Sequence, residues 1–231
     1  MKAVVLAGGF GTRLRERVPN LPKPMALVAG RPFLEYVLDR LIAGGVNEII
    51  LSVGYLADVV IEHFGSAYCG AAVSYAVESE PLGTGGAIAH ALKGQGDAPV
   101  LVLNGDTFIN IDYAEFMRWY AQSPTQVAMV LREVPDVTRY GSVLVSGNRV
   151  AGFAEKGKVG GGLINAGVYV VDPGVFESFG LSGAFGFEGD LLQDHCDELT
   201  PGAFITDAYF IDIGIPKDYD RAQLELPEIL R

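Results

Sequence analysis

Apolar residues in this chain gather into short runs separated by helical spacings and glycine-rich turns. Ala3-Val4-Val5-Leu6-Ala7 is too short for a helix and suits a strand buried on both faces, as in a parallel sheet. Glu48 to Val53, Val73 to Val77 and Pro99 to Leu103 repeat the strand signal. Between them, Phe33, Tyr36, Val37 and Leu41 fall at helical spacing with Gly44-Gly45 as a stop, and 56–64 and 87–93 predict two further helices. Strand and helix alternating at crossover distance predict an α/β fold with a mixed, mostly parallel central sheet and helices on both faces. Downstream, 111–120 predicts a helix and Val127 to Leu131 a strand. Ser142 to Val145 and Arg149 to Phe153 read as a hairpin turned at Ser146-Gly147-Asn148. An apolar run follows from Leu163 to Val171, a helix is expected from about Glu188, and Asp212 interrupts an aromatic-aliphatic strand, Tyr209 to Gly214. No linker or repeat divides the 231 residues, so one domain is expected, with a first half of about 1–110 and a second of about 111–231.

The first strand runs straight into Gly8-Gly9-Phe10-Gly11-Thr12-Arg13. Gly8, Gly9 and Gly11 remove the Cβ atoms that would keep a ligand off the backbone, so successive N–H groups can converge on an anion. Arg13 adds a planar fork of donors, and Lys23, between Pro22 and Pro24, adds a mobile point charge. Two familiar glycine motifs do not fit. A dinucleotide fingerprint started at Gly9 needs glycine where Leu14 stands and an acidic residue about 20 positions on, and no Gly-Lys-Ser/Thr follows the strand as a P-loop requires. A tight strand-to-helix turn would use the same glycines, but Arg13 and Lys23 favour a polyphosphate site.

Composition narrows the partners. A 49% apolar content is enough for a buried core, while a net charge of −11 argues against general nucleic-acid binding, because nothing offsets repulsion from the phosphates. A nucleotide site must therefore concentrate its few cations. Cys69 and Cys196 are too few for a disulfide framework, and Met1 opens onto the first strand with no signal peptide or membrane span, so a cytoplasmic protein with no membrane partner is expected. The sequence leaves room for a homo-oligomer. His63, His90 and His195 share no metal-ligand spacing.

LAGGFGTRL (6–14) followed by PKPM (22–25) resembles the signature of the sugar-phosphate nucleotidylyltransferases, which make nucleotide sugars from a nucleoside triphosphate and a sugar 1-phosphate. The resemblance continues through PLGTGGAI (81–88), LNGDTF (103–108), LINAGVY (163–169) and YFIDIGIPKDY (209–219). It implies a Rossmann-like three-layer nucleotidyltransferase fold with a nucleotide-binding first half and a sugar-phosphate-binding second half. Many members have Trp at the position of Phe210 and Thr at that of Ile215; the guanylyltransferases acting on a heptose 1-phosphate are similar to this chain at both.

By resemblance, Leu6, Ala7, Gly8, Gly9, Gly11, Thr12, Arg13, Lys23, Asn104 and Gly105 bind nucleotide, with Glu78, Pro81, Gly83 and Thr84 in the base-recognition loop. A carboxylate can accept from the adjacent N1–H and N2–H₂ of guanine, so Glu78 points to GTP. Asp106, at the end of a parallel strand, could reach a metal held by phosphates or cap the following turn. The resemblance pairs it with Asp212 as the holder of Mg²⁺, and a carboxylate at Asp212's position in an apolar strand needs a partner in any case. Tyr140, Gly141, Glu155, Lys156, Asn165, Gly167 and Glu188 are the implied sugar-binding residues, Lys156 gripping the sugar phosphate. Asn165 lies inside the apolar run, where an unpaired amide would be costly. The glycine-rich 157–162 is expected to form a mobile lip. Arg13, Lys23, Asp106, Lys156 and Asp212 would then carry the transfer of a guanylyl group from GTP to a sugar 1-phosphate. Rival readings are mannose in place of heptose and a non-catalytic nucleotide-sugar-binding homologue.

Overall fold

A computed structural model describes residues 1–9, 14, 17–122, 125–154, 157 and 159–229. The first half comprises β1 (Lys2–Leu6), the short β2 (Leu27–Val28) and β3 (Arg31–Pro32), α1 (Phe33–Ala43), β4 (Glu48–Val53) and α2 (Ala57–Phe64). It continues with β5 (Ala67–Tyr68), β6 (Ala71–Val77), α3 (Gly83–Leu92) and β7 (Val100–Asn104). β8 (Thr107–Ile109) closes it, and the second half holds α4 (Tyr113–Ala121), β9 (Val127–Val134), β10 (Ser142–Ser146), β11 (Arg149–Ala154), β12 (Gly162–Val171) and α5 (Val175–Ser178). A π-helix at Phe187–Gln193, α6 (Cys196–Leu199), β13 (Gly202–Thr206), β14 (Phe210–Asp212) and α7 (Pro216–Ile229) complete it.

Ten strands form one mixed sheet in the order β10-β11-β13-β9-β12-β7-β1-β4-β6-β5. All run in one direction except β5, β11 and β12. The centre is parallel, β4 and β7 flanking β1, which accounts for its unbroken apolar run: Val4 packs into one core cluster and Val5 into the other, both fully buried. Alternation repeats in β4 and β7, where Ile50 and Val102 join Val4 while Leu51 and Leu103 join Val5. One cluster takes in α1, α2, α4 and α7, the other α3 and the π-helix, giving three layers. The halves meet where β12 runs antiparallel to β7, from Val168 opposite Leu103 to Val171 opposite Val100.

Several boundaries differ from those the sequence predicts. Helix α3 starts at Gly83 rather than Ala87, so the glycines form its first turn, and the reason is contact. A Cβ on Gly83 would lie 2.5 Å from the carbonyl oxygen of Phe185, and one on Gly85 only 2.2 Å from the Phe185 ring. α4 begins after Ile111, where the Asp112 carboxylate accepts from the N–H groups of Ala114 (2.8 Å) and Glu115 (3.1 Å). The expected helix near Glu188 is a π-turn followed by a break at His195. Strand β13 and helix α7 carry no counterpart in the sequence prediction. In the expected lip, Gly157 and Gly160 are hydrogen-bonded to Thr138 and Val137, and Gly162 already belongs to β12.

Candidate functional site

At the carboxyl ends of β1 and β7 lies a cavity of about 520 Å³, lined by residues from both halves. Crevices of α/β sheets open at that end of the strands. Its floor begins with the turn after β7. Gly105 donates its N–H to the Leu6 carbonyl (2.9 Å) so closely that a Cβ would come within 2.6 Å of that oxygen, and this brings Asp106 beside the end of β1. β8 then pairs antiparallel with β14, Thr107 opposite Asp212, and Ile213 donates to the Asp106 carbonyl (3.1 Å). This small ribbon sets Asp106 and Asp212 side by side although the sequence holds them far apart.

Lys23 comes from a single helical turn, Lys23–Met25, whose Pro24 and Met25 are buried. Its Nζ stands 2.5 Å from Asp106 Oδ2 and 3.6 Å from Asp212 Oδ1. With only 13% of the side chain exposed, this contact is screened far less than a surface pair. Asp212 Oδ1 also accepts from the Gly214 N–H (2.6 Å), and Oδ2 from Arg139 Nη2 (2.7 Å). The partner that a carboxylate in β14 requires is therefore two cations. Carboxylates of two segments converge on one positive charge, and this donor set fits a Mg²⁺ ion, which is commonly held by one or two carboxylates with substrate phosphates completing its shell.

Asn165 and Glu188, also in the lining, share the buried Tyr169 behind them. Asn165 Nδ2 donates to the Tyr169 hydroxyl (2.7 Å) and to Glu188 Oε1 (2.9 Å), and the same hydroxyl bonds Glu188 (2.9 Å). Asn165 Oδ1 accepts from the Gly167 N–H (3.0 Å), so the half-buried amide within an apolar strand is satisfied from both ends. Burial, and then the Glu188 carboxylate, push the Tyr169 hydroxyl well above its ordinary value, so it stays protonated at neutral pH. Tyr140 packs edge-on to Phe210, centroids 6.0 Å apart, and burial raises its pKa also.

Of the residues singled out from the sequence, Leu6, Gly9, Lys23, Thr84, Asn104, Asp106, Tyr140, Asn165, Gly167, Glu188 and Asp212 line this one cavity. Glu78 sits beside Gly8, which lies one residue from the lining. Its Oε1 is 3.1 Å from where a Gly8 Cβ would stand and accepts from Ser52 Oγ (3.3 Å), while Oε2 accepts from the Leu82 N–H (3.2 Å). Ala7 points into the core and Pro81 is exposed. Gly83 and Gly105 serve close backbone packing, and Gly141 is held by Val137, none of the three lining the cavity. Gly11, Thr12, Arg13, Glu155 and Lys156 lie outside the described residues. Arg139, which the sequence reading missed, is the second cation among the described lining residues. Its only signal was its place just before Tyr140-Gly141.

Thr84 ties the start of α3 to the start of the π-helix. Its hydroxyl accepts from the Phe187 N–H (2.9 Å), Phe185 donates to Leu82 (2.9 Å), and the N–H of Gly85 donates to Phe185 (3.0 Å). The loop carrying Glu78 is thereby fastened to the segment carrying Glu188.

Known proteins share this architecture. The family description Nucleotidyl transferase matches residues 2–228. Over 226 residues, 98% of either chain, the sequence is 41% identical to D-glycero-alpha-D-manno-heptose 1-phosphate guanylyltransferase of Aneurinibacillus thermoaerophilus. It is 40% identical to the protein of that name from Campylobacter jejuni, covering 95% of this chain and 97% of the other. HddC from Yersinia pseudotuberculosis, crystallised in complex with GMP-PN, superposes with a TM-score of 0.84 at 39% identity, covering 96% of this chain and 97% of its own. With a match along nearly its whole length and the strand-end cavity in place, the chain belongs to the nucleotidyl transferase family.

Proposed function

We propose that this chain is a D-glycero-α-D-manno-heptose 1-phosphate guanylyltransferase, converting GTP and the heptose 1-phosphate into GDP-heptose and pyrophosphate in the cytoplasm. The observation that carries this reading is the meeting of Lys23, Asp106 and Asp212 in one cavity with Gly9, Asn165 and Glu188. The names of the relatives at 40–41% identity supply the substrate pair.

A sugar phosphate monoester is largely a dianion at neutral pH, its second pKa being about 6, so its oxygen needs no general base before attacking the α-phosphorus of GTP. The new P–O bond forms in line with the breaking one, and pyrophosphate leaves with the electron pair. What the protein contributes is position and charge. Lys23 neutralises phosphate oxygens from within the cavity, with Arg13 proposed on the departing β- and γ-phosphates and Lys156 on the attacking phosphate. Asp106 and Asp212 would hold Mg²⁺, which when bound offsets the charge shared by the reacting phosphates. Glu78 keeps free lone pairs for guanine, and Asn165 and Glu188 present amide and carboxylate to sugar hydroxyls.

The test is pyrophosphate release from each of four nucleoside triphosphates combined with heptose 1-phosphate, mannose 1-phosphate or glucose 1-phosphate. The expected result is the highest kcat/KM for GTP with the heptose. A higher value with UTP or dTTP would overturn the base assignment, and equal or better use of mannose 1-phosphate would overturn the sugar assignment.

A further inference from the structure

Arg139 lies outside the set of residues to which the family resemblance gives a role, yet it touches three parts of the site at once. Nη2 donates to Asp212 Oδ2 at 2.7 Å, Nη1 donates to Asp218 on α7, and the guanidinium lies over the Tyr140 ring, 4.8 Å from its centroid. Asp218 is 8% exposed and takes a second cation, Arg221, at 3.1 Å. It is thus a fixed anchor rather than a mobile surface acid. The opposite oxygen of Asp212 is held by the Gly214 N–H, so the plane of that carboxylate is set from both edges, by backbone on one side and Arg139 on the other. Tyr140, a wall of the cavity, is likewise set between Arg139 and Phe210.

We infer that Arg139 is a positioning residue for the transfer reaction, carrying the anchorage of Asp218 on α7 into the orientation of Asp212 and Tyr140. The inference rests on the proposed function. Only a planar fork can address two carboxylates and stack on a ring in one pose; an ammonium at the same place supplies the charge without the geometry. The loss therefore belongs to turnover rather than to nucleotide capture, because Asp212 matters where charge develops between the reacting phosphates.

The experiment compares Arg139→Lys, Asp218→Asn and the double variant with the wild type, reading kcat, KM for the sugar phosphate, Kd for GTP in the absence of sugar, and Tm. Misplaced support of site ligands elsewhere costs about 10–100-fold. A fall in kcat of that size is expected in both single variants, with GTP Kd within about twofold of wild type and the double variant no worse than the poorer single one, as for members of one network. Were Arg139 a direct grip on the sugar phosphate, Arg139→Lys would raise KM with kcat kept and Asp218→Asn would be harmless. That result overturns the inference, as does a lowered Tm with unchanged kcat in the folded protein. A wild type inactive with every substrate pair would overturn the proposed function and this inference together, whereas an active wild type with an unaffected Arg139→Lys variant overturns this inference alone.

Discussion

Glu78 spends one lone pair of each oxygen on Ser52 and Leu82 and retains others for a ligand. Glu78→Gln turns one oxygen into a donor facing guanine's own donors, so selectivity for GTP over UTP should shrink by about 1–3 kcal/mol, read as a ratio of kcat/KM values. Asp106→Asn and Asp212→Asn should each remove most turnover while GTP binding survives; near-normal rates at saturating Mg²⁺ would refute their role. Tyr169 allows a pH prediction. Its folded pKa is raised above the unfolded value, so the stability it contributes is complete below about pH 10 and drains away as pH rises toward the folded value. Tyr169→Phe should flatten the alkaline fall of unfolding free energy by up to about 1.4 kcal/mol per pH unit and raise the KM for sugar, since Asn165 and Glu188 lose their shared partner. Among single residues, those whose chemistry conflicts with their surroundings were legible in the sequence: Asn165 and Asp212 each stand in apolar strands and each proved multiply bonded. Arg139 was not, because an arginine in a polar loop looks the same whether it faces solvent or two carboxylates.

The longer strands and helices of the first half could be read because periodicity and glycine stops agree there, whereas the two-residue β2, β3 and β5 gave no such pattern. The start of α3 could not, since three glycines in four residues argue against a helix until Phe185 is seen filling the space beside them. That contact supplies a test. Gly85→Ala gains about 1 kcal/mol of helix propensity but drives a methyl into the Phe185 ring, an overpacking that costs about 1–3 kcal/mol. The variant should melt lower, and Phe185→Leu in the same chain should restore stability by opening room; a Gly85→Ala protein as stable as wild type would mean that this segment moves freely. At the other end of the chain, α7 is polar enough to have escaped notice, and side chains tie it down. Arg221 bonds Glu225, which also accepts from the Tyr209 hydroxyl at 2.7 Å. These bonds, Arg221's first, hold the Glu225 carboxyl below its ordinary value near 4.5. A depressed folded pKa means stability present above that value and lost as pH falls through the folded pKa, so Glu225→Gln should lessen acid destabilisation below about pH 4.5. An acid limb identical to wild type would show the pair to be fully screened.

Across the whole molecule, the order of strands was beyond reach of the sequence, because pairing of β12 with β7 or β9 with β13 joins segments whose apolar patterns would match other partners equally well. That pairing makes one sheet of both halves, so thermal unfolding followed by tryptophan fluorescence at Trp119 and by far-ultraviolet circular dichroism should give coincident transitions. Two separated transitions would mean that the seam at β7 is weak. The ribbon of β8 and β14 has a different consequence. Phe210 pairs with Ile109, and Asn110 donates to the Tyr209 carbonyl, so about a hundred residues depart and return at a single rung. In evolutionary terms this is the layout of an insertion, a cassette spliced into a frame with both joints clasped together. Such a cassette could be traded between relatives at that rung without disturbing the frame, provided the incoming strand still matched Val100 to Leu103 along β7.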